Sequence, residues 1–262
     1  MEVLTREERD GMVELKGLIK GFLNGGEGSK QIREYITSVS ENDALLLIFL
    51  KGRKCRVNHA WETLKRNAVV RFNEYPESFP VAVPECTYLL LKNGVFGILK
   101  TRDNLGRRIM FLNGGKWEPS EVSLEDISAV GTHLMDKLLL DEDVMNNGLV
   151  SVIDCEGMGM KHLKEYSLNG MLRLINIFCY AYPIPFKGFY FANAPFYCRY
   201  IYKILTPFLP KKLKERILIS ASDKQFEMIH ENISPQLLPK FLGGVQENET
   251  AFDRDIIKPL YS

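Results

Sequence analysis

The sequence predicts an α/β fold, a sheet flanked by helices behind an all-helical N-terminal piece, and three observations predict it. The first quarter of the 262 residues carries apolar positions at helical spacing and no strand signal. From residue 95 onward short β-like runs alternate with amphipathic helices, the pattern of strand–helix units. Two later runs, GLVSVIDCEG (148–157) and FKGFYFANAP (186–195), read as buried strands of a sheet covered on both faces.

The elements follow in order. In TREERDGMVELKGLIKGFL (5–23), Met12, Leu15, Leu18, Ile19 and Phe22 share one face, and Thr5 with Glu8 forms a capping box. NGGEG (24–28) ends that helix and Ser29 caps the next. ENDALLLIFLKGRK (41–54) and NHAWETLKRNAVVRF (58–72) supply two more, the latter with a stripe of Ala60, Leu64, Ala68 and Phe72; NEYPESFP (73–80) closes the helical region. VFGILKT (95–101) and RRIMFLN (107–113), joined by RDNLG, predict a hairpin. SLEDISAVGTHLMDKLLLDEDVMNN (123–147) reads as one long amphipathic helix with Asp141, Glu142 and Asp143 on a solvated end, and 162–183 reads as another helix. After the second buried strand comes APFYCRYIYKILTPFLPKKLKER (194–216), an apolar helix that ends basic. ILIS (217–220) is a candidate strand, and KQFEMIHENI (224–233) a last helix.

Composition sets limits on function. The net charge of +1 gives no global basic field of the kind nucleic-acid binding uses, so any anion site must be a local patch. Five cysteines (55, 86, 155, 179, 198) form no CxxC pair, and MEVLTREERDGM is too polar for a secretory leader; together they predict free thiols in a reducing compartment. ALLLIFL (44–50) is far shorter than the roughly 20 residues needed to span a bilayer. The expectation is a soluble cytoplasmic protein that touches membranes transiently.

No constellation announces catalysis. DCEGMG (154–159) follows a strand, but Gly157-x-Gly159-x-x-His162 lacks the third glycine of a dinucleotide loop, and there is no GKS/T. Cys155 reads as a small core residue rather than a nucleophile served by His162. The four histidines (59, 133, 162, 230) show neither HExxH nor a close pair, so no metal site is expected. The expectation is a protein without cofactor or enzymatic activity. The strongest signal lies in 194–216. Tyr197, Ile201, Ile204, Leu205 and Phe208 form one apolar stripe, Arg199 and Lys203 a polar edge, and Lys211, Lys212, Lys214 and Arg216 cluster after Pro210. Packing against a sheet explains the stripe but not the basic end.

Several blocks, in this order, carry a family resemblance: LLLIFLKGRKCRVNHAWETLKRNAVVRFNEYPESF, GRRIMFLNGGKWEP, GLVSVIDCEGMGMKHL, AYPIPFKGFYFANAPFYCRYIYKILTPFLPKKLKERI and ISPQLLPKFLGG. From about residue 30 to its end the chain resembles the CRAL-TRIO lipid-transfer proteins, most closely the branch of the α-tocopherol and retinaldehyde carriers. The resemblance implies an N-terminal helical module (1–78) and a lipid-binding domain (79–262). It implies a mainly parallel five-stranded sheet flanked by helices, enclosing an apolar lipid cavity closed by a mobile lid helix over about residues 193–209. The cavity-facing positions it implies are Gly131, Thr132 and Met135 on the helix before the central strand, with Leu149, Ile153, Leu174, Ile177, Phe178, Ile184 and Phe189 on the strands and the helix between them. On the lid they are Ile201, Ile204, Leu205 and Phe208. A phosphoinositide-binding patch falls on Arg53, Lys187, Lys212 and Arg216. The implied partners are a hydrophobic ligand and a phosphoinositide-containing membrane, with no nucleic acid.

This sequence departs from the tocopherol-carrier pattern at five places: Pro185 replaces a basic residue, Gly131 and Met135 replace serines, Phe241-Leu242 replaces Glu-Tyr, and Asn113 replaces a frequent arginine. The function implied is carriage of one hydrophobic molecule, exchanged at membranes by lid opening. Exchange of phosphatidylinositol for phosphatidylcholine, or lipid sensing without transfer, are the alternatives.

Overall fold

The computed structural model describes residues 4–221 and 226–257. Helices α1 (Arg6–Gly25), α2 (Lys30–Glu41), α3 (Asp43–Gly52) and α4 (Val57–Val69) form the N-terminal module. Its caps are local chemistry. The Thr5 hydroxyl accepts from the Glu8 amide at 3.2 Å, and the Glu8 carboxylate accepts from the Thr5 amide at 2.8 Å. At α2 the Ser29 hydroxyl caps by accepting from the Ile32 amide, a one-way bond because Ile32 has no side-chain acceptor to answer it. Leu15, Ile19, Ile36, Leu46, Phe49, Leu50 and Leu64 interlock into a core of their own.

The second region is built on a five-stranded sheet in chain order: β1 (Phe96–Arg102), β2 (Arg108–Asn113), β3 (Leu149–Asp154), β4 (Phe186–Ala194) and β5 (Ile217–Ala221). The β1–β2 hairpin is antiparallel and every later pairing is parallel. The parallel pairings need crossovers, which supply the flanking helices. Strand alternation divides the core in two. Met110, Leu149 and Phe186 face a helical layer made by α5 (Cys86–Lys92), α6 (Leu124–Leu138), α7 (Glu142–Asn147) and the segment 168–181. Ile109, Phe111, Val150, Val152, Tyr190 and Ala192 face the C-terminal segments, including α12 (Glu227–Asn232), Leu238 and Leu242.

Three helical expectations need correction. The helix expected over 123–147 is two helices, because the Asp141 side chain accepts from the Val144 amide and starts α7 afresh. Of the three acidic residues there Glu142 is exposed as expected, but Asp141 holds Arg108 at 2.6 Å and Asp143 holds Arg102 at 2.6 Å. Arg108, buried at the start of β2, also reaches Asp253 at 2.8 Å, tying the tail to the sheet. The helix expected over 162–183 is three pieces: α8 (Met160–Glu165), α9 (Leu168–Leu174) started by the Ser167 cap, and a π-helical segment, Ile175–Ala181. Of the helix expected over 224–233, residues 224 and 225 lie outside the described residues.

The two regions are joined by a partly buried polar network. Arg71, in a π-helical turn (Val70–Glu74) after α4, holds Asp136 of α6 with contacts of 2.8 and 3.2 Å. The Tyr182 hydroxyl lies 2.8 Å from the same carboxylate and 3.1 Å from the Thr132 carbonyl. Burial alone would lower the Arg71 pKa, but Asp136 beside it raises it above the ordinary value; burial and then Asp136 raise that of Tyr182. Gly52 completes the seam, since a Cβ there would stand 2.2 Å from the Pro183 carbonyl oxygen. Arg71→Leu should lower unfolding stability by about 2 kcal/mol, less than full loss of a buried pair because the Asp136 side chain is 38% exposed. Urea denaturation followed by tryptophan fluorescence measures this, and an unchanged midpoint would contradict it.

Candidate ligand site and lid

The candidate site is bounded by β3 and β4, by α6 with the segment 168–181, and by the β4–β5 connection. That connection holds α10 (Phe196–Leu205), a 3₁₀ turn (Thr206–Phe208) and α11 (Lys211–Lys214). Helix α10 has no buried residue. Pro207 falls in the 3₁₀ turn, so the expected lid of 193–209 is shorter: β4 runs to Ala194 and the α-helix stops at Leu205.

The implied cavity residues divide by burial. Met135, Leu149, Ile177 and Ile184 are packed in the core. Thr132 is buried too, and its hydroxyl lies 2.5 Å from the Ser78 carbonyl and 2.9 Å from that of Ala129, so its proton is committed to backbone. Ile153, Leu174, Phe178, Phe189, Ile201 and Leu205 are only partly covered. Gly131 lies under Phe178, where a Cβ would come within 2.8 Å of the ring. Bare backbone at that position is what lets the ring rest on α6.

Two of the implied lid residues stand open to solvent. Ile204 and Phe208 are 54% and 47% exposed, and with Phe196 and Tyr200 they continue an apolar edge open to solvent. Tyr197, Ile201 and Leu205 are the more covered positions. A cleft of about 700 Å³ opens between α4 and the π-helical segment, bordered by Arg53, His59, Thr63, Asn176, Tyr180 and Phe208. Of the residues expected to face a ligand, Phe208 alone borders it. The Tyr180 hydroxyl donates to the Phe208 carbonyl at 2.9 Å and pins the lid's far end across the cleft.

Among the described residues three buried hydroxyls stand without a partner, Thr87 Oγ1, Ser151 Oγ and Tyr197 Oη, and the sequence had shown Tyr197 only as part of an apolar stripe. Ser151 lies on β3 between Met110 of β2 and Phe189 of β4. His162, by contrast, is fully engaged. Its Nδ1 accepts from the Gly159 amide at 2.9 Å, so Nε2 carries the proton toward the Trp117 carbonyl at 3.0 Å. No group of three or more His, Cys, Asp and Glu fit to hold a metal occurs among the described residues, and none of their helices is long and apolar enough to cross a membrane.

The basic residues gather unevenly. The Lys187 pKa is lowered by burial and then by the charges of Arg216, Lys54 and Arg107, which marks four cations in one neighbourhood. Lys54 and Arg107 went unnoticed because they come from separate loops. Arg107 is neutralised in part by Asp103, and Arg216 donates to the Phe186 carbonyl at 2.5 Å. Lys54, Lys187 and exposed Lys212 have no acidic partner among the described residues. Arg53 points inward instead, to Thr63 Oγ1 and the Tyr182 carbonyl, both at 2.8 Å, and burial brings its pKa to about 10.

The CRAL/TRIO domain model matches residues 91–244. Among curated proteins, Clavesin-2 of Mus musculus is 30% identical over 207 residues, covering 78% of this chain and 62% of its own length. Alpha-tocopherol transfer protein-like of Mus musculus is 29% identical over 208 residues, with 79% and 60% covered. The chain thus spans about three fifths of the length of the curated relatives it matches. The crystal structure of Sfh5 aligns over 97% of this chain and 93% of that one, with a TM-score of 0.59 at 15% identity, a likeness of fold.

Tyr180→Phe should loosen the lid without unfolding the protein. Losing one hydrogen bond, worth about 1 kcal/mol, should speed amide exchange across 196–208 by roughly fivefold. Hydrogen exchange read by mass spectrometry reports it, and unchanged lid exchange would show that this contact holds nothing.

Proposed function

Because this chain belongs to the CRAL/TRIO family, we propose that it is a non-enzymatic carrier of one hydrophobic small molecule or lipid, exchanged at phosphoinositide-bearing membranes when α10 swings away. The observation that carries this reading is α10 itself, an amphipathic helix with no buried residue whose apolar edge is open beside a cluster of like charges. In water the exposed edge is costly; at a bilayer it is not. The partly covered set of Ile153, Leu174, Phe178, Phe189, Ile201 and Leu205 is the wall that lipid burial would complete, at roughly 25 cal/mol per Å² of apolar surface.

In this reading residues 1–78 serve as the supporting module and 79–262 as the lipid-binding domain, acting from the cytoplasm and meeting membranes transiently. Ser151 and Tyr197 supply hydroxyls for a polar group on an otherwise apolar ligand. Lys187, Lys212 and Arg216, with Lys54 and Arg107, receive the phosphoinositide headgroup, while Arg53 supports the patch from behind.

Lys187→Glu with Lys212→Glu tests the membrane step and spares the Arg216 contact with Phe186. Each basic residue near an anionic surface contributes about 1 kcal/mol, so the pair should weaken flotation with phosphatidylinositol-bisphosphate vesicles by roughly tenfold or more. Transfer of a fluorescent tocopherol analogue between such vesicles should slow in parallel, while loading in solution stays near wild type. Raising salt should mimic the substitutions. Wild-type flotation and transfer by the variant would overturn the membrane reading. Vesicle binding without transfer of any lipid probe would favour a sensor over a carrier.

A further inference from the structure

The sheet side of the candidate site carries a hydroxyl that nothing answers. Ser151 stands in the middle of β3, in register with Met110 of β2 on one side and Phe189 of β4 on the other. Side chains alternate along a strand, so Leu149 and Ile153 share its face. Val150 and Val152 belong to the opposite core, which aims Ser151 at α6 and the segment 168–181. The residue is 1% exposed, and its Oγ has no hydrogen-bond partner among the described residues.

A central strand covered on both faces favours apolar residues, and a buried hydroxyl left unpaired is destabilising. The hydroxyls facing it are already committed. On α6, Ser128 donates to Ser78 Oγ, and Thr132 is bound to the Ser78 and Ala129 carbonyls. Tyr182 is held by the Thr132 carbonyl and Asp136. Of the other two unpaired hydroxyls, Thr87 lies on α5, which packs against the edge strand β1, and Tyr197 rides on α10 and moves with it. Ser151 is fixed by strand pairing on both sides. Around it the apolar wall is incompletely buried: Ile153 and Phe189 beside it, and Leu174 and Phe178 in the facing segment, are only partly covered.

We propose that Ser151 is a specificity-determining residue of the ligand site, binding the uncharged oxygen of an otherwise apolar molecule that enters oxygen first. This inference rests on the carrier reading and narrows its ligand. A serine hydroxyl both donates and accepts, so it serves an alcohol or a carbonyl oxygen equally. A hydrocarbon would leave Oγ as unpaired as it stands now. A carboxylate or phosphate would fare worse: it would be buried beside Met110, Leu149, Ile153 and Phe189 with one hydroxyl to answer a full charge. The site thus separates three chemistries, accepting the neutral oxygen and disfavouring both the bare hydrocarbon and the anion at its floor.

The test loads the full chain with diphenylhexatriene, a fluorescent hydrocarbon, and displaces it with hexadecane, hexadecanol or, at mildly alkaline pH, hexadecanoate. Ser151→Ala should leave diphenylhexatriene loading and displacement by hexadecane at wild type. The hexadecanol needed for displacement should rise by roughly fivefold, the loss of one hydrogen bond. Ser151→Cys, close to serine in volume but a weak donor, should keep the packing and show the same selective loss. Hexadecanoate should displace no better from wild type than from either variant. Equal losses for hexadecanol and hexadecane, or none for either, would overturn the role of Ser151 and leave the carrier reading standing, because diphenylhexatriene still loads. Hexadecanoate displacement that falls with the substitutions as the alcohol's does would overturn the restriction to an uncharged oxygen. Failure of diphenylhexatriene to load into wild type would overturn the carrier reading and this inference with it.

Discussion

The Asp136 carboxylate is the fixed point from which the site is hung. It receives Arg71 from the N-terminal module and Tyr182 from the end of the π-helical segment, and it sits on α6, the helix that also carries Gly131 and Met135. Tyr182 in turn offers its carbonyl to Arg53, and the next residue, Pro183, lies against Gly52. One acid therefore sets the position of α4, α6, the segment 175–181 and the entry to β4. The Phe178 ring rests over Gly131 because both of its supports are anchored there. A partly buried ion pair contributes little net stability beside an apolar isostere, but it punishes any arrangement that leaves one charge alone. Its value here is positional: the N-terminal module acts as a brace behind the wall of the site.

What the sequence disclosed was what local physics decides. The Thr5–Glu8 box, the Ser29 cap and the buried β3 and β4 are written in residues a few positions apart. Tertiary partners decided the rest. Asp141 had the residue type of a helix start, but an unbroken apolar period masked it, and its ion pair with Arg108 shows only in the fold. Of the four cations that bear on one another, Lys187 and Arg216 were named at the level of the sequence. Lys54 and Arg107 come from loops far apart in the chain. On the lid, the single apolar stripe read from helical period divides: Tyr197, Ile201 and Leu205 are the more covered, while Ile204 stands open beside Phe196 and Tyr200. Phe208 also left the helical phase altogether, because Pro207 tightens the last turn.

Parallel topology explains why a lid and a cation cluster share one region. Strands β4 and β5 run the same way, so the chain leaving β4 at Ala194 must return along the sheet before β5 begins at Ile217. The return path is α10, the turn with Phe208, and α11. In an ordinary crossover the returning helix buries its apolar face on the sheet. Here α10 buries no residue fully, and Phe196, Tyr200 and Ile204 stay open. The crossover is thus held mainly by its ends: the Asn193–Asp154 contact at its start, and the Tyr180–Phe208 contact farther on.

The landing point of that crossover is fixed by register. Phe189 pairs with Ile217, so Arg216 arrives beside the start of β4, where its guanidinium meets the Phe186 carbonyl and its charge bears on Lys187. Cations brought together by a sheet's own pairing repel one another, and burial of Lys187 makes the repulsion worse. A fold under no other demand would relieve that cost with a carboxylate, as Asp103 does for Arg107 nearby. Lys54, Lys187 and Lys212 lack such a partner among the described residues, and in the carrier reading proposed above an anion would supply that relief. In that reading, an anion drawn to Lys212 and Arg216, which stand directly after the lid in the chain, would engage the far anchor of the crossover. Charge at the patch and mobility at the lid would then be two readings of one strand-to-strand connection.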